Sequence, residues 1–232
     1  LVSIRQMAFV MMKSDLRLVL FDCDGTLVDS AHLIHEVMRK TFVHFGHPEP
    51  LMEQTKAIIG LTLDIAIARI QGKPHVDDEA VRMMAHYKSV FHETRQETGF
   101  EEKLFDGIRG VMDSLAARDD LLLGAVTGKS RRGLDVICRA HGFDTIFTVS
   151  RTADDCPSKP HPAMVTECCD QTGMRVQDTL VIGDAIYDMQ MAKAAGAKAI
   201  GVAWGYASVA ELKAAGADAI AENPRDLLSL IG

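Results

Sequence analysis

The stretch Leu16-Arg17-Leu18-Val19-Leu20-Phe21-Asp22-Cys23-Asp24-Gly25-Thr26 sets a short apolar run directly against two acids. Its length and β-branching predict a strand buried on both faces, with the acids at its carboxyl end. Working outward toward the C-terminus, the same texture returns. Leu121 to Val126, Thr145 to Val149, Thr179 to Ile182, Ala199 to Ala203 and Ala217 to Ile220 read as strands. Between and beyond them, Arg131 to His141, Pro162 to Thr172, Tyr187 to Ala195, Val209 to Ala214 and Pro224 to Leu230 read as helices. Strands and helices alternating over short links predict an α/β fold, a doubly wound parallel sheet covered on both faces. Such sheets bind ligands beyond the carboxyl ends of their strands.

The segment between the first two strands has a different texture. From Ala31 to Lys103 no strand-like run occurs, and apolar residues recur at helical spacing: Leu33, Val37, Met38 and Thr41; Leu63, Ile67 and Ile70; Val81, Met84 and Ala85. His47-Pro48-Glu49-Pro50 and Gly72-Lys73-Pro74 interrupt these helices. The organisation is therefore a core of residues 15–30 and 104–232 with an inserted all-helical unit at 31–103. Residues 1–14 read as an N-terminal extension. They hold Met7, Met11 and Met12 as alternative starts and an apolar patch too short for a signal peptide.

Composition narrows the functional classes. The 232 residues are 47% hydrophobic and 25% charged, with a formal net charge of −7. That surface repels nucleic acid and anionic membrane, and no run is long enough to span a bilayer. A phosphorylated small molecule is repelled as well, so a phosphate site needs a local cation. Cys23, Cys138, Cys156, Cys168 and Cys169 form no C-x-x-C pair and are odd in number, which reads as a reducing, cytoplasmic setting. His32 and His35 share a helix face without metal-site spacing and read as surface histidines. Oligomeric state has no signature here.

Polar residues cluster where the strands end. Asp22 and Asp24 follow the first strand, Thr127 and Gly128 the second, Lys159 precedes a helix, and Asp184 and Asp188 follow the strand at Leu180 to Ile182. Crowded carboxylates call for a hard cation with oxygen ligands, and Mg2+ suits them. Asp22 and Asp184, with the backbone carbonyl of Asp24, form the expected metal set. A carboxylate such as Asp22 can attack phosphorus and split one displacement into two. Asp24 can protonate the leaving alkoxide and then deprotonate water. Thr127 and the amides after it can bind phosphate oxygens, and Lys159 brings positive charge to the same place. Each feature alone has a structural explanation; their order along the chain, each at a strand end, does not.

The stretches FDCDGTLVDS, VTGKS, SKPHP and IGDAIYDMQMAKAAGA resemble the four signature motifs of the haloacid dehalogenase superfamily. The resemblance runs from Leu18 to the C-terminus, and the helical insert lies where that family places its first-type cap. It implies Asp22 as nucleophile, Asp24 as acid and base, Thr127 and Lys159 as phosphate contacts, and Asp184 as metal ligand. Asp188 is implied either as a direct ligand or as a group orienting metal-bound water. The tail from Ala195 resembles the phosphoglycolate phosphatase-like branch. Asp24 separates phosphoryl chemistry from dehalogenation, because a leaving halide needs no proton.

By the same resemblance, the loop Gly60-Leu61-Thr62-Leu63 reads the substrate, and the linkers near Asp29-Ser30 and Leu104-Asp106 act as hinges. Leu63 stands where the β-phosphoglucomutase branch carries a basic residue, which disfavours a bisphosphate mutase. Arg69, Lys73 and Lys88 are the cations that could meet a substrate carboxylate instead. The expected activity is hydrolysis of small phosphomonoesters. A pyrophosphatase or nucleotide phosphatase on the same core is the alternative, and a turnover-less phosphate-binding regulatory module is an alternative of another class. Gly128-Lys129-Ser130 lacks the first glycine of a P-loop, and no G-x-G-x-x-G follows a strand, so neither nucleotide motif holds. Cys23 should turn into the core by strand alternation.

Overall fold

The computed structural model describes residues 16–232; the proposed N-terminal extension lies outside them. Strand β1 (Arg17–Phe21) sits in the middle of a six-stranded parallel sheet with β4 (Leu121–Val126), β5 (Phe147–Arg151), β6 (Thr179–Gly183), β7 (Lys198–Val202) and β8 (Ala219–Ala221). The spatial order is β5-β4-β1-β6-β7-β8. The chain runs outward from β1 to β4 and β5 on one side, then returns to build β6, β7 and β8 on the other. β1 is thus flanked by both directions of winding, and a crevice opens beyond its carboxyl end. In the register, Phe21 pairs with Ala125 on β4 and with Ile182 on β6, so the loops after all three strands begin side by side.

Alternation along β1 divides the core into two layers. Val19 and Phe21 pack with α5 (Ile108–Ala116), α6 (Arg131–His141) and α10 (Asp226–Ile231) through Ile108, Met112, Leu134, Ile137 and Leu227. Leu18 and Leu20 face α7 (Ala163–Thr172), α8 (Ile186–Ala195) and α9 (Val209–Ala214) through Met164, Cys168, Met189 and Leu212. Cys23 is fully buried in the first of these layers.

The sequence places the fifth strand two residues early. Phe143–Thr145 instead form a 3-10 turn, because Gly142 ends α6 in the left-handed region (φ +67°) and Phe143 must turn inward to be buried. The strand then starts at Phe147.

The insert contains α1 (Ala31–His44), α2 (Met52–Lys56), α3 (Leu63–Ile70) and α4 (Asp78–Thr98). Its apolar centre is built on Leu33, Val37, Met38, Phe42, Ile67 and Met83, and Ala185 and Tyr187 from beyond β6 join the same cluster. The fold is therefore a doubly wound sheet carrying an all-helical cap. A short antiparallel ribbon, β2 (Val28–Asp29) with β3 (Lys103–Leu104), connects the two. One helical face differs from expectation. Val81 is exposed, and α4 buries Ala80, Met83, Tyr87 and Thr94. Both stripes satisfy helical spacing, and rotating the helix by one residue puts the larger Tyr87 inside.

Candidate active site

Asp22 emerges from β1 into the crevice and is 1% exposed. Asp184 follows β6, and Asp188 lies in the first turn of α8. Carboxylate oxygens of the three fall within 4.8 Å of one another. Fixed partners orient two of them. Asp184 accepts from the Thr26 hydroxyl at 3.0 Å and from the Tyr206 amide at 2.9 Å. Asp188 accepts from the Ala185 amide at 3.0 Å and from Lys159 Nζ at 2.6 Å. Lys159 Nζ also lies 2.8 Å from Asp22 Oδ1, yet neither oxygen of Asp22 has a properly aligned hydrogen-bond donor. The cradle is tight: at Gly25 (φ +85°) a Cβ would fall 2.2 Å from Asp184 Oδ2. Only glycine permits that approach.

The charges around Asp22 do not cancel. Three buried carboxylates face the ammonium of Lys159, which leaves two negative charges. Burial, above all, pushes Asp22 up to about 7 against the pull of Lys159, with Asp188 adding to the rise. Burial and the neighbouring Asp22 likewise push Asp184 well above the usual carboxylate range. Burial alone would lower Lys159, but Asp188 and Asp22 outweigh it and raise the ammonium above its ordinary value. A divalent cation would supply the missing charge, and all-oxygen donors suit Mg2+ among others. The orphaned oxygens of Asp22 are the observation that fits these residues to such an ion.

Asp24 is set differently. Ser30 Oγ donates to its Oδ1 at 2.6 Å, and Lys129 Nζ lies 2.9 Å from the same oxygen. Thr127 is buried at the end of β4, with its hydroxyl accepting from the Lys129 amide at 3.2 Å. The cap loop rests directly on this region. A Cβ at Gly128 would meet the carbonyl oxygens of Gly60 and Leu61 at 2.6 Å. The Thr62 amide donates to Ser158 Oγ at 2.9 Å. Leu61 is buried in the apolar centre of the cap and Leu63 packs against it, so this loop turns its backbone toward the core.

Residues 19–202 match the haloacid dehalogenase-like hydrolase family. The chain belongs to that family. Phosphoglycolate phosphatase from Escherichia coli is 30% identical over 94% of this chain and 93% of its own length. The pyrophosphatase PpaX of Bacillus pumilus is 28% identical over 96% of this chain and 99% of its own. The crystal structure of a hydrolase from Pseudomonas syringae superposes with a TM-score of 0.79 at 24% identity, covering 93% of this chain and 97% of that one. As a haloacid dehalogenase-like hydrolase, the chain is an enzyme. Among the described residues no helix is long and apolar enough to cross a membrane.

Sequence reasoning missed several residues that complete the site. Tyr206 touches Asp184 through its amide, while its phenol accepts from the Ser30 and Ala31 amides and donates to Asp29. It thereby joins the acid cluster to the start of α1. Tyr187, between Asp184 and Asp188, donates to the Ala57 carbonyl and accepts from Arg69 of the cap at 2.8 Å. Of the three cations weighed for a substrate carboxylate, Arg69 alone, among the described residues, bonds to a side chain of the core. Lys73 pairs with Asp77 and Glu79 inside the cap, and Lys88 is exposed. His35 bonds to Thr55 and His32 stacks on Phe100. Glu102 and Lys129 carried no usable signal: one sits in a charged stretch, the other in a near-miss P-loop.

Proposed function

We propose that the chain is a divalent-metal-dependent phosphatase of small phosphomonoesters, similar to the phosphoglycolate phosphatases, working through an aspartyl-phosphate. Asp22 carries the reading. It is a buried carboxylate at the strand end where the sheet changes direction, with Lys159 Nζ 2.8 Å from Oδ1 and no hydrogen-bond donor on Oδ2. A carboxylate saturated with donors would be a poor nucleophile; this one is free to attack.

In the first step an Asp22 oxygen bonds to phosphorus as the bond from phosphorus to the ester oxygen breaks. The electron pair stays on the ester oxygen, and the proton of Asp24 joins it. In the second step Asp24 takes a proton from water as the water oxygen bonds to phosphorus. The Asp22–phosphorus bond then breaks and phosphate leaves. Thr127 and the Gly128 amide bind the phosphoryl oxygens, and Lys159 holds positive charge where negative charge gathers. Asp22, Asp184 and the Asp24 carbonyl would hold Mg2+, with Asp188 as a further ligand or as a group orienting metal-bound water. Bound to these residues, the ion would supply the positive charge that offsets the carboxylates. We assign residues 31–103 as the cap that excludes water over this site, with Gly60 to Leu63 as its reading loop.

The likeness to a pyrophosphatase keeps phosphoanhydrides as a second substrate class. Arg69 at the cap–core boundary favours a small ester with a second negative group. A phosphate-release screen with Mg2+ over phosphoglycolate, sugar phosphates, nucleotides and pyrophosphate tests both. Release from none of them would return the chain to the class of phosphate-binding modules.

A further inference from the structure

Lys129 follows Gly128 and pairs with a different set of acids from Lys159. Its Nζ donates to Glu102 Oε1 at 2.9 Å and lies 2.9 Å from Asp24 Oδ1. All three side chains are at least nine-tenths buried. Glu102 immediately precedes the linker strand β3, and Arg95 of the cap helix α4 approaches it at 3.9 Å. Ser30, on the other linker, donates to the same Asp24 oxygen. Residues flanking both strands of the ribbon therefore bear on Asp24 Oδ1, Ser30 directly and Glu102 through Lys129. Among the described residues no hydrogen bond reaches its Oδ2.

We infer that Lys129, anchored by Glu102, is a positioning residue that fixes Asp24 by Oδ1 and leaves Oδ2 facing the leaving oxygen. The inference rests on the reading of Asp24 as the proton carrier. Two contacts on one oxygen pin the carboxyl plane, so Oδ2 has a set direction. Because Glu102 sits on the linker, that direction is tied to the seating of the cap. Lys129 itself does not touch the reacting atoms.

The test is a series of phosphate esters running from an acidic phenol to a simple alcohol, assayed with Mg2+ in wild type, Lys129→Met, Glu102→Gln and Asp24→Asn. A displaced proton donor matters most for the most basic leaving group. Lys129→Met should lower kcat about 100-fold on the alkyl ester and progressively less toward the acidic phenol. Glu102→Gln should give the same slope at about 10-fold. The double variant should be no worse than Lys129→Met alone, since both act through one contact. Lys129→Arg should restore part of the loss. An equal loss on every ester, or additive losses in the double variant, would overturn the inference. If Lys129→Met does not fold, Glu102→Gln carries the test by the same slope. A leaving-group slope that steepens in none of the variants, Asp24→Asn included, would instead defeat the assignment of Asp24. An inactive wild type would defeat the phosphatase reading.

Discussion

Two charge clusters meet at the loop from Asp22 to Asp24, and they are built on opposite plans. Around Asp22, three buried carboxylates share one lysine and two negative charges remain. Around Asp24, the carboxylates of Asp24 and Glu102 face Lys129 and the more distant Arg95, so the charges cancel within the chain. Burial of an unpaired charge is costly, and the first cluster can be relieved by protons or by a cation from outside. The second is complete as folded. On the proposed function, the site that would bind metal and phosphate is left open, while the proposed proton carrier Asp24 is held by the protein alone.

Breaking the open cluster at its centre should have the largest effect. Asp22→Asn should lower phosphate release by at least about 10⁴-fold, because no other carboxylate stands free to attack. Breaking the closed cluster should show in stability. Lys129→Met strands Asp24 and Glu102 together in the interior, and urea unfolding should report a loss of about 3–5 kcal/mol.

The open cluster should respond to ions where the closed one does not. Saturating Mg2+ at a hundred times its Kd should stabilise the fold by about 2.7 kcal/mol. Calorimetry should then place Tm roughly 5–10 °C above that in EDTA, and EDTA should abolish turnover. A shallower change should follow pH in the metal-free protein. Burial pushes Asp22 from its ordinary 3.8 up to about 7 in the fold. Between these values the folded chain keeps a proton that the unfolded chain has released. Stability should therefore rise as pH falls through 7, with the gain complete below about 4. Mg2+ should flatten that slope near neutrality, since a bound metal keeps the carboxylates ionised in the folded chain too. A metal-free protein that loses stability from pH 8 to 6 would contradict the open plan. The smallest effect belongs to Arg95, whose 3.9 Å approach to Glu102 is long and partly exposed. Arg95→Gln should cost under about 1 kcal/mol in the same urea titration.

Much of this comparison was written locally. The open cluster was legible because each acid directly follows or lies near a strand end, where apolar runs give way abruptly to Asp22 or to Gly183-Asp184. Lys159 was legible beside them as a lone cation before a helix. The closed cluster was not. Ser30 reads as a linker residue, Glu102 as one acid in Glu101-Glu102-Lys103, and Lys129 as a failed nucleotide motif. Tyr206 likewise joins Asp184 to the start of α1 from a turn with no motif around it. The misread face of α4 has a related cause: periodicity gives a stripe, but Tyr87 facing inward is decided by what lies opposite.

The sequence by itself determined the alternation of strands and helices, the cap inserted after β1 and the acids that gather beyond the sheet. Those follow from local texture: apolar runs, helical spacing and polar breaks each act over a few residues. Only the tertiary structure decided that Glu102 and Lys129, 27 residues apart, meet over Asp24, and that the backbone of Gly60 and Leu61 lies against Gly128. The reason is physical. A buried ion pair is worth forming only where the surrounding fold removes water and supplies every partner, and no residue carries that information alone.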